Sequence, residues 1–411
     1  MPDQSGGTRL PAAIEQQFPD ALRHTLVALR RELHQHPELS FQEQRTADRL
    51  HAALEALHPV QLDRVAGTGI VARFRGRDAG MPTVAIRGDI DALPIQEATG
   101  LPFASRAAGV MHACGHDVHA TWTVAAAHLL TIQPAAGDVL IVLQPAEEVG
   151  TGAMAVLESG ALDDCAAIFG GHVDRRFAVG EVVAQAGPLA ASADEFEITL
   201  TGSGAHGARP HEAADPIVGA GALIGALQTI VSRRLNPAQA AVVTVGTVHA
   251  GSAPNIIPDR AILSGTLRAT EPGVRRRLHD EVRRIAASVA DTYALTADVA
   301  VRSGPPPIVN PAEPARWAHE AATSLLGAQG VVPLGVLNMG GEDFACYLER
   351  MPGCFLRIGA REPGSHPIPA HSPHFYAAEE SIFVGAAVLA QTARVASGHL
   401  SASHPSLPVG P

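Results

Sequence analysis

Apolar residues near the start of the chain recur at helical spacing. Between Asp20 and His36 this pattern predicts a helix that ends at Pro37, with an inner face formed by Leu22, Leu26, Leu29 and Leu33. Ser40 followed by Glu43 resembles a capping box, a pairing that satisfies free backbone N–H groups at a helix start. We therefore expect a second helix to open there, with Leu50, Leu54 and Leu57 on its buried side.

Short apolar runs then predict buried strands that alternate with an Ala-rich helix. The strands are expected at Thr83–Ile86, Val139–Leu143 and Ala166–Phe169, and the helix at Thr121–Leu130. Strands alternating with helices favour an α/β layer with a mixed, largely parallel sheet flanked by helices. In such sheets, functional sites gather beyond the carboxyl ends of the strands.

Residues 187–303 follow a different pattern. Alternating and helical periods predict the order β-α-β-β-α-β, which is the ferredoxin-like arrangement. Gly187-Pro188 precedes this stretch and Gly304-Pro305-Pro306-Pro307 follows it, and such residues commonly mark domain boundaries. We expect a discontinuous catalytic domain of residues 1–186 and 304–411, interrupted by an inserted α+β domain of residues 187–303. The tail after Gly398 is rich in Ser and Pro and is expected to lack fixed structure.

Composition excludes several classes of function. The 411 residues carry a formal net charge of −11, which offers no basic surface to nucleic acid or to anionic lipid. No apolar run approaches the roughly 20 residues that span a bilayer. The start of the chain shows no secretory signal, and four scattered cysteines do not form a disulfide framework. These features favour the cytoplasm.

Candidate metal ligands follow the predicted strands. Cys114 and His116 precede the Ala-rich helix, Glu147-Glu148 follow the second strand, and His172 follows the third. Thiolate, imidazole and carboxylate together suit a Zn, Mn or Co site. Adjacent side chains diverge at a strand end, so one glutamate can bind an ion while the other accepts a proton from water. Each of these residues alone could have a purely structural role, but their joint placement after successive strands favours a catalytic metal site.

These motifs resemble the M20 metallopeptidases, specifically the M20D amidohydrolases similar to hippurate hydrolase, N-acyl-amino-acid amidohydrolases and auxin-conjugate hydrolases. Met-His-Ala-Cys114-Gly-His116-Asp and Gln-Pro-Ala-Glu-Glu148 carry the resemblance, which extends from Leu29 to His371-Ser-Pro. It implies a zinc-exopeptidase-like catalytic domain that binds two divalent ions. The implied ligands are Cys114, His116, Glu148, His172 and His371. Glu147 falls at the position of the general base, and Asp91 at that of an aspartate that orients a histidine ligand.

The resemblance also implies that the inserted domain is a dimerisation or lid domain, so we expect a homodimer or a higher homo-oligomer. Its histidine, here His206, would reach the partner's active site and polarise the scissile carbonyl. Asn255 and Arg268 match positions that bind the substrate carboxylate.

The expected function is hydrolysis of the amide bond of a small N-acyl amino acid, giving a carboxylic acid and a free amino acid. A carboxypeptidase or dipeptidase remains an alternative, because a peptide is also an acylated amino acid. A noncatalytic binding homologue is a further alternative, but the intact Glu147 and the full ligand set speak against it.

Overall fold

The computed structural model describes residues 10–402, which form two compact units. The first unit runs to Gly187 and takes in Asn310–Val336 and the chain from Cys346 onward. The second comprises Pro188–Val309 and Leu337–Ala345. Segment 337–345 and residues 304–309 thus fall in the second unit rather than in the predicted catalytic domain. Local periodicity does not reveal such placements, since they depend on distant contacts such as the 3.0 Å hydrogen bond from Ala191 N–H to the Gly340 carbonyl.

The elements of the first unit begin with three helices. These are α1 (Ala12–Glu15), α2 (Asp20–Gln35) and α3 (Gln44–Glu55). The strands and helices that follow are β1 (Gln61–Val65), β2 (Gly69–Phe74), β3 (Thr83–Asp89), α4 (His116–Ile132), β4 (Val139–Gln144), α5 (Gly152–Glu158), β5 (Cys165–Ala178) and β6 (Val182–Val183).

The second unit opens within β7 (Gly187–Ala190), whose first residue belongs to the first unit. It continues with β8 (Asp194–Thr201), β9 (Ala205–His206), α6 (Pro216–Thr229), a π-helical turn (Ile230–Arg234), β10 (Ala241–Ala250), β11 (Ile256–Ile257), β12 (Arg260–Ala269), α7 (Pro272–Thr292) and β13 (Thr296–Arg302). The chain then passes through β14 (Ile308–Asn310), α8 (Ala312–Leu326), α9 (Ala345–Leu348), β15 (Gly353–Arg361) and α10 (Glu380–Ala402). Short 3₁₀ turns occupy Pro210–Glu212 and Ala328–Gly330.

A seven-stranded mixed sheet organises the first unit, in the order β1-β2-β4-β3-β5-β15-β6. The central pairs β3–β4, β3–β5 and β5–β15 are parallel, while β1, β2 and β6 pair antiparallel at the edges. Strands β3 and β4 are buried along their whole length, as expected for strands covered on both faces. Asp89 pairs with Gln144 in this register, so the carboxyl ends of both strands lie side by side.

The predicted parallel sheet is confirmed, but the helix starts differ from the sequence analysis. The capping-box prediction is wrong: α3 begins at Gln44, and the carboxylate of Glu38 accepts hydrogen bonds from the N–H groups of Arg45 and Thr46. Ser40 and Glu43 instead turn their side chains towards Asp91 and Ala146, which are distant in sequence. A capping motif cannot form where tertiary partners occupy both of its side chains.

The second unit contains a four-stranded antiparallel sheet with the order β10-β12-β8-β13. With α6 following β8 and α7 following β12, this is the ferredoxin-like arrangement that the periodicity predicts. Residues alternate along β8 between buried and more exposed positions, and its buried face includes Phe196, Ile198 and Leu200. These side chains form a core with α6 and α7 that belongs to the second unit alone.

Helix α10 packs against α4 and α8 and completes the core of the first unit. The chain remains helical to Ala402, beyond the predicted limit at Gly398, and the rest of the predicted tail lies outside the described residues. Two helical stretches, Pro216–Arg234 and Glu380–Ala402, have the length and mean hydropathy of membrane spans, although polar residues interrupt both of them. The apolar window of the second is 78% buried, which is typical of a core helix in a folded protein.

Candidate metal centre

The candidate ligands of the first unit come from separate elements that meet at the carboxyl edge of the sheet. Cys114 and His116 lie at the start of α4, and Glu148 lies in the turn that follows β4. The sequence predicts His172 just after the third strand. In the structure it lies within that strand, because β5 continues to Ala178. His371 lies in the loop between β15 and α10. The five residues that the resemblance implies as ligands are therefore brought together.

Two sharp backbone turns present these side chains. Gly115 has φ of 88°, and a Cβ atom there would lie 2.4 Å from Cγ2 of Val173, so glycine is needed between Cys114 and His116. Ala146 has φ of 54°, a left-handed conformation that is costly for a residue with a side chain. Immediately after this turn come Glu147 and Glu148.

The side chains form two overlapping groups that share the thiol of Cys114. In one group, Cys114, His116 and His172 hold their ligand atoms within 4.8 Å of one another, and Sγ of Cys114 lies 3.2 Å from Nε2 of His172. In the other, Cys114, Glu148 and His371 do the same, with Nε2 of His371 3.4 Å from Oε2 of Glu148. One shared ligand with two distinct partner sets is suited to two neighbouring ions.

Unpartnered polar atoms support this fit. Nε2 of His116 and Oε1 of Glu148 are buried and have no hydrogen-bond partner among residues 10–402. The two atoms lie 3.8 Å apart, and Oε2 of Glu147 lies 3.9 Å from the same His116 nitrogen. Since buried polar atoms are normally satisfied, both atoms fit a bound divalent cation.

Asp91 contacts two of the candidate ligands, His116 and Glu148, on the side away from the other candidate ligands. Its Oδ1 lies 3.1 Å from Nδ1 of His116, while its Oδ2 accepts hydrogen bonds from the hydroxyl of Ser40 at 2.7 Å and from the N–H of Glu148 at 3.0 Å. Burial alone would raise the pKa of Asp91, but these hydrogen bonds outweigh it and lower the pKa. The charged carboxylate directs Nε2 of His116 towards the glutamates.

A second histidine–aspartate pair, which was not predicted from the sequence, lies beside the site. Nδ1 of His119 lies 2.6 Å from Oδ1 of Asp89, and its Nε2 accepts the N–H of Val173 at 2.9 Å. Burial lowers the pKa of His119, which stays neutral and donates from Nδ1. Both of its nitrogens are engaged, so His119 braces His172 through the neighbouring Val173 and is not a ligand. The i, i+3 spacing of His116 and His119 on one helix face was the available signal.

The protonation of two candidate ligands, Cys114 and His116, is set by their surroundings. Burial and the nearby Glu148 carboxylate raise the pKa of the Cys114 thiol well above its usual value. Burial would lower the pKa of His116, but Asp89 and Asp91 outweigh it and raise this pKa well above the usual value. Both groups therefore carry protons at neutral pH that a cation must displace.

The other candidate residues lie in the second unit. His206 is exposed on β9, where it pairs with Ile256, and its Nδ1 accepts the N–H of Ala208 at 3.0 Å. Asn255 is close by, since its carbonyl accepts the N–H of Gly207 at 2.8 Å. Arg268 lies half-buried on β12, and its guanidinium has no hydrogen-bond or ion-pair partner within residues 10–402.

Comparison with known proteins gives consistent matches. Residues 85–395 match the family model described as peptidase family M20/M25/M40. The chain is 39% identical over 407 residues to N-acetyl-L-cysteine deacetylase of Bacillus subtilis (strain 168), a match that covers 96% of this chain and 94% of that protein. It is 34% identical over 369 residues to thermostable carboxypeptidase 1 of Saccharolobus solfataricus, covering 88% and 92%.

A solved structure is similar over nearly the whole fold. It is the crystal structure of a Bacillus subtilis protein described as a dinuclear metal-binding peptidase from the M20 family. The TM-score is 0.82 at 37% identity, and the match covers 92% of this chain and 99% of that one. Another solved structure, a putative aminohydrolase from methicillin-resistant Staphylococcus aureus, has a TM-score of 0.87 at 32% identity, covering 94% and 99%.

Replacing Cys114 by Ala should weaken divalent-ion binding at both groups at once, because each contains this thiol. Loss of a ligand should cost at least as much as loss of an outer-shell partner, about 10- to 100-fold in affinity. Calorimetric titration of the metal-stripped protein in buffers of different ionisation enthalpy should also show protons released on binding, so affinity should increase with pH. The matched control is Cys165→Ala, which lies outside both groups. Equal affinities for the two variants would contradict the shared-ligand geometry.

Proposed function

Because the chain belongs to peptidase family M20/M25/M40 and is a metal-dependent amidohydrolase of that family, we propose that it cleaves the amide bond of N-acyl amino acids. The products would be a carboxylic acid and a free amino acid. The observation that carries this proposal is the pair of ligand groups sharing Cys114, with Glu147 beside them.

We propose that Cys114, His116 and His172 hold one divalent ion, and that Cys114, Glu148 and His371 hold the other. The soft thiolate favours Zn, while imidazole and carboxylate also suit Mn and Co. Bound there, the ions would supply Lewis acidity to the amide carbonyl and lower the pKa of water towards neutrality.

Glu147 is assigned as the general base. Its side chain is 10% exposed and approaches Nε2 of His116, whereas Glu148 approaches both His116 and His371. The carboxylate of Glu147 would take a proton from the attacking water and deliver it to the leaving amine nitrogen. Asp91 is assigned to orienting His116, through the hydrogen bond at Nδ1.

His206 is assigned to polarising the scissile carbonyl. Its Nδ1 accepts the Ala208 N–H, so in the neutral ring the proton is on Nε2, which can donate to a carbonyl oxygen that becomes negative. Arg268 and Asn255 are assigned to the substrate carboxylate. A half-buried guanidinium without a partner is suited to a paired hydrogen bond with a carboxylate.

The relatives favour an N-acyl amino acid and keep one alternative open. One is named an N-acetyl-L-cysteine deacetylase and another a carboxypeptidase, and both activities cleave an amide next to a free carboxylate. Carboxypeptidase or dipeptidase action on short peptides is therefore the second candidate. A hippurate-like substrate belongs to the first candidate activity, the hydrolysis of N-acyl amino acids.

We further propose that the second unit is an inserted dimerisation domain through which two chains associate. Ile217 and Val218 on α6 are 46% and 52% exposed, and Val242 and Val248 lie exposed on β10, at the edge of its sheet. An exposed apolar helix face beside an unpaired strand edge is suited to a second copy of the same surface. The cytoplasm is the proposed location, because a reducing compartment maintains the free thiol of Cys114.

Hydrolysis of a substrate panel tests the proposed activity. The metal-stripped protein, and the same protein given Zn, Mn or Co, would be assayed on N-acetyl amino acids, hippurate, an auxin conjugate and dipeptides. We expect cleavage of acyl amino acids, restored by metal, to exceed that of dipeptides. Preference for dipeptides would instead support the second candidate, a carboxypeptidase or dipeptidase. No cleavage by a protein holding two ions per chain would favour a binding protein.

Glu147→Ala should retain both ions and lose turnover, because the base acts in catalysis and not in binding. The expected fall in kcat is about 10²- to 10⁴-fold. Glu148→Ala is the matched control and should instead lose metal, since Glu148 is an assigned ligand. Metal content by elemental analysis and kcat on the best panel substrate are the measurements. Turnover that survives in the Glu147 variant would refute the base assignment.

Val218→Glu should convert a dimer into a monomer, because it puts a charge into the proposed apolar interface. Light scattering coupled to size exclusion would measure the mass. Ile132→Glu is the control, since Ile132 is 67% exposed but lies in the first unit. A wild-type chain that is monomeric would contradict the proposal, as would a Val218 variant that stays dimeric.

A further inference from the structure

The connection between α2 and α3 reaches two of the loops that carry the metal centre. Leu39 forms a parallel bridge with Ala92, whose N–H donates to the carbonyl of Glu38 at 2.9 Å. The hydroxyl of Ser40 reaches Asp91, in the loop after β3. Three residues further on, Glu43 reaches the turn after β4.

Glu43 is fully buried, and its carboxylate has only neutral partners. One oxygen accepts the N–H of Ala146 at 3.0 Å, and the other accepts the hydroxyl of Thr68 at 2.6 Å. No Arg, Lys or His pairs with it within residues 10–402, and burial raises its pKa above the usual value. Burying a carboxylate without a cationic partner is unfavourable. Capping of α3 does not explain the placement, because Glu38 performs that role.

The N–H that Glu43 accepts belongs to a strained residue of the site. Ala146 has φ of 54° and is completely buried. Its carbonyl accepts the N–H of Gly152 at 3.1 Å, so the peptide groups on both sides of the turn are fixed. Such a conformation persists where surrounding contacts hold it, as they do at many functional sites.

The two glutamates after this turn have different anchors. Glu148 is fixed by its own N–H, which donates to Asp91. Glu147 follows Ala146 directly, so the direction of its side chain depends on the geometry of that turn. A change at Glu43 should therefore affect Glu147 more than the ligand set.

We propose that Glu43 is a positioning residue that holds the left-handed turn at Ala146 and thereby aims Glu147 at the attacking water. This inference rests on the proposed function, since it assumes that Glu147 is the base. The buried carboxylate of Glu43 would thus support proton transfer by Glu147, although the segment between α2 and α3 is otherwise structural. Glu43 acts through the backbone and does not touch substrate.

The test is steady-state kinetics of metal-loaded Glu43→Ala, Glu43→Gln and Glu38→Ala. Glu43→Ala should lower kcat about 10- to 100-fold, the effect of a small misplacement of a catalytic group, with KM within about twofold and two ions still bound. Glu43→Gln should recover most of kcat, because the amide oxygen still accepts the Ala146 N–H. Glu38→Ala, in the same segment, should lower the Tm and leave kcat unchanged.

A Glu43→Ala variant with wild-type kcat would overturn the inference. So would loss of activity in proportion to lost metal, which would indicate a purely structural role. If Glu43→Ala does not fold, Glu43→Asp replaces it, because its shorter side chain cannot span the same distance, and wild-type kcat there would overturn the inference equally. Glu147→Ala distinguishes failure of the proposed function from failure of the positioning role. If Glu147→Ala stays active, the proposed function fails. If Glu147→Ala is inactive while Glu43→Ala is fully active, only the positioning role of Glu43 is rejected.

Discussion

The carboxylate of Asp91 is the point at which three distant segments of the chain are joined. It receives hydrogen bonds from the ring of His116, the hydroxyl of Ser40 and the N–H of Glu148. The contact with Nδ1 leaves Nε2 of His116 directed at the glutamates. A change at this carboxylate would free both the ring of His116 on α4 and the N–H of Glu148 after β4, so the geometry of both candidate ligand groups depends on it.

The buried sheet explains why so much polarity is concentrated at one edge. Strands β3 and β4 are covered on both faces, and the long helix α10 packs against α4. Polar side chains have little room along such strands, whereas the carboxyl ends open onto loops. The site combines charged, hydrogen-bonded carboxylates such as Asp91 with the unpartnered His116 nitrogen and Glu148 oxygen. A divalent cation is suited to such a site, because it can bind polar atoms that have no hydrogen-bond partner while their neighbours are held in place.

Sequence reasoning succeeded where the signal was periodic or local. The apolar runs predicted the central parallel strands, and the alternation beyond Gly187 predicted the β-α-β-β-α-β order that the second unit shows. It failed at Ser40 and Glu43, where a local capping pattern was overruled by partners more than 50 residues away. It also placed the start of the helix after Cys114 too late. His116, Asp117 and His119 are polar, so their burial in the first turn of α4 was not visible in the pattern.

The sequence by itself determined the family, the largely parallel sheet and the residue types of the ligand groups, because these depend on motif spacing and short-range periodicity. Tertiary structure alone decided that Cys114 is shared by two groups, that His119 is a brace, and that Glu43 holds the turn before Glu147. Each of these outcomes depends on which atoms of remote segments come within hydrogen-bonding or ligand distance. Such distances follow from how the strands and helices pack, and no local pattern encodes them.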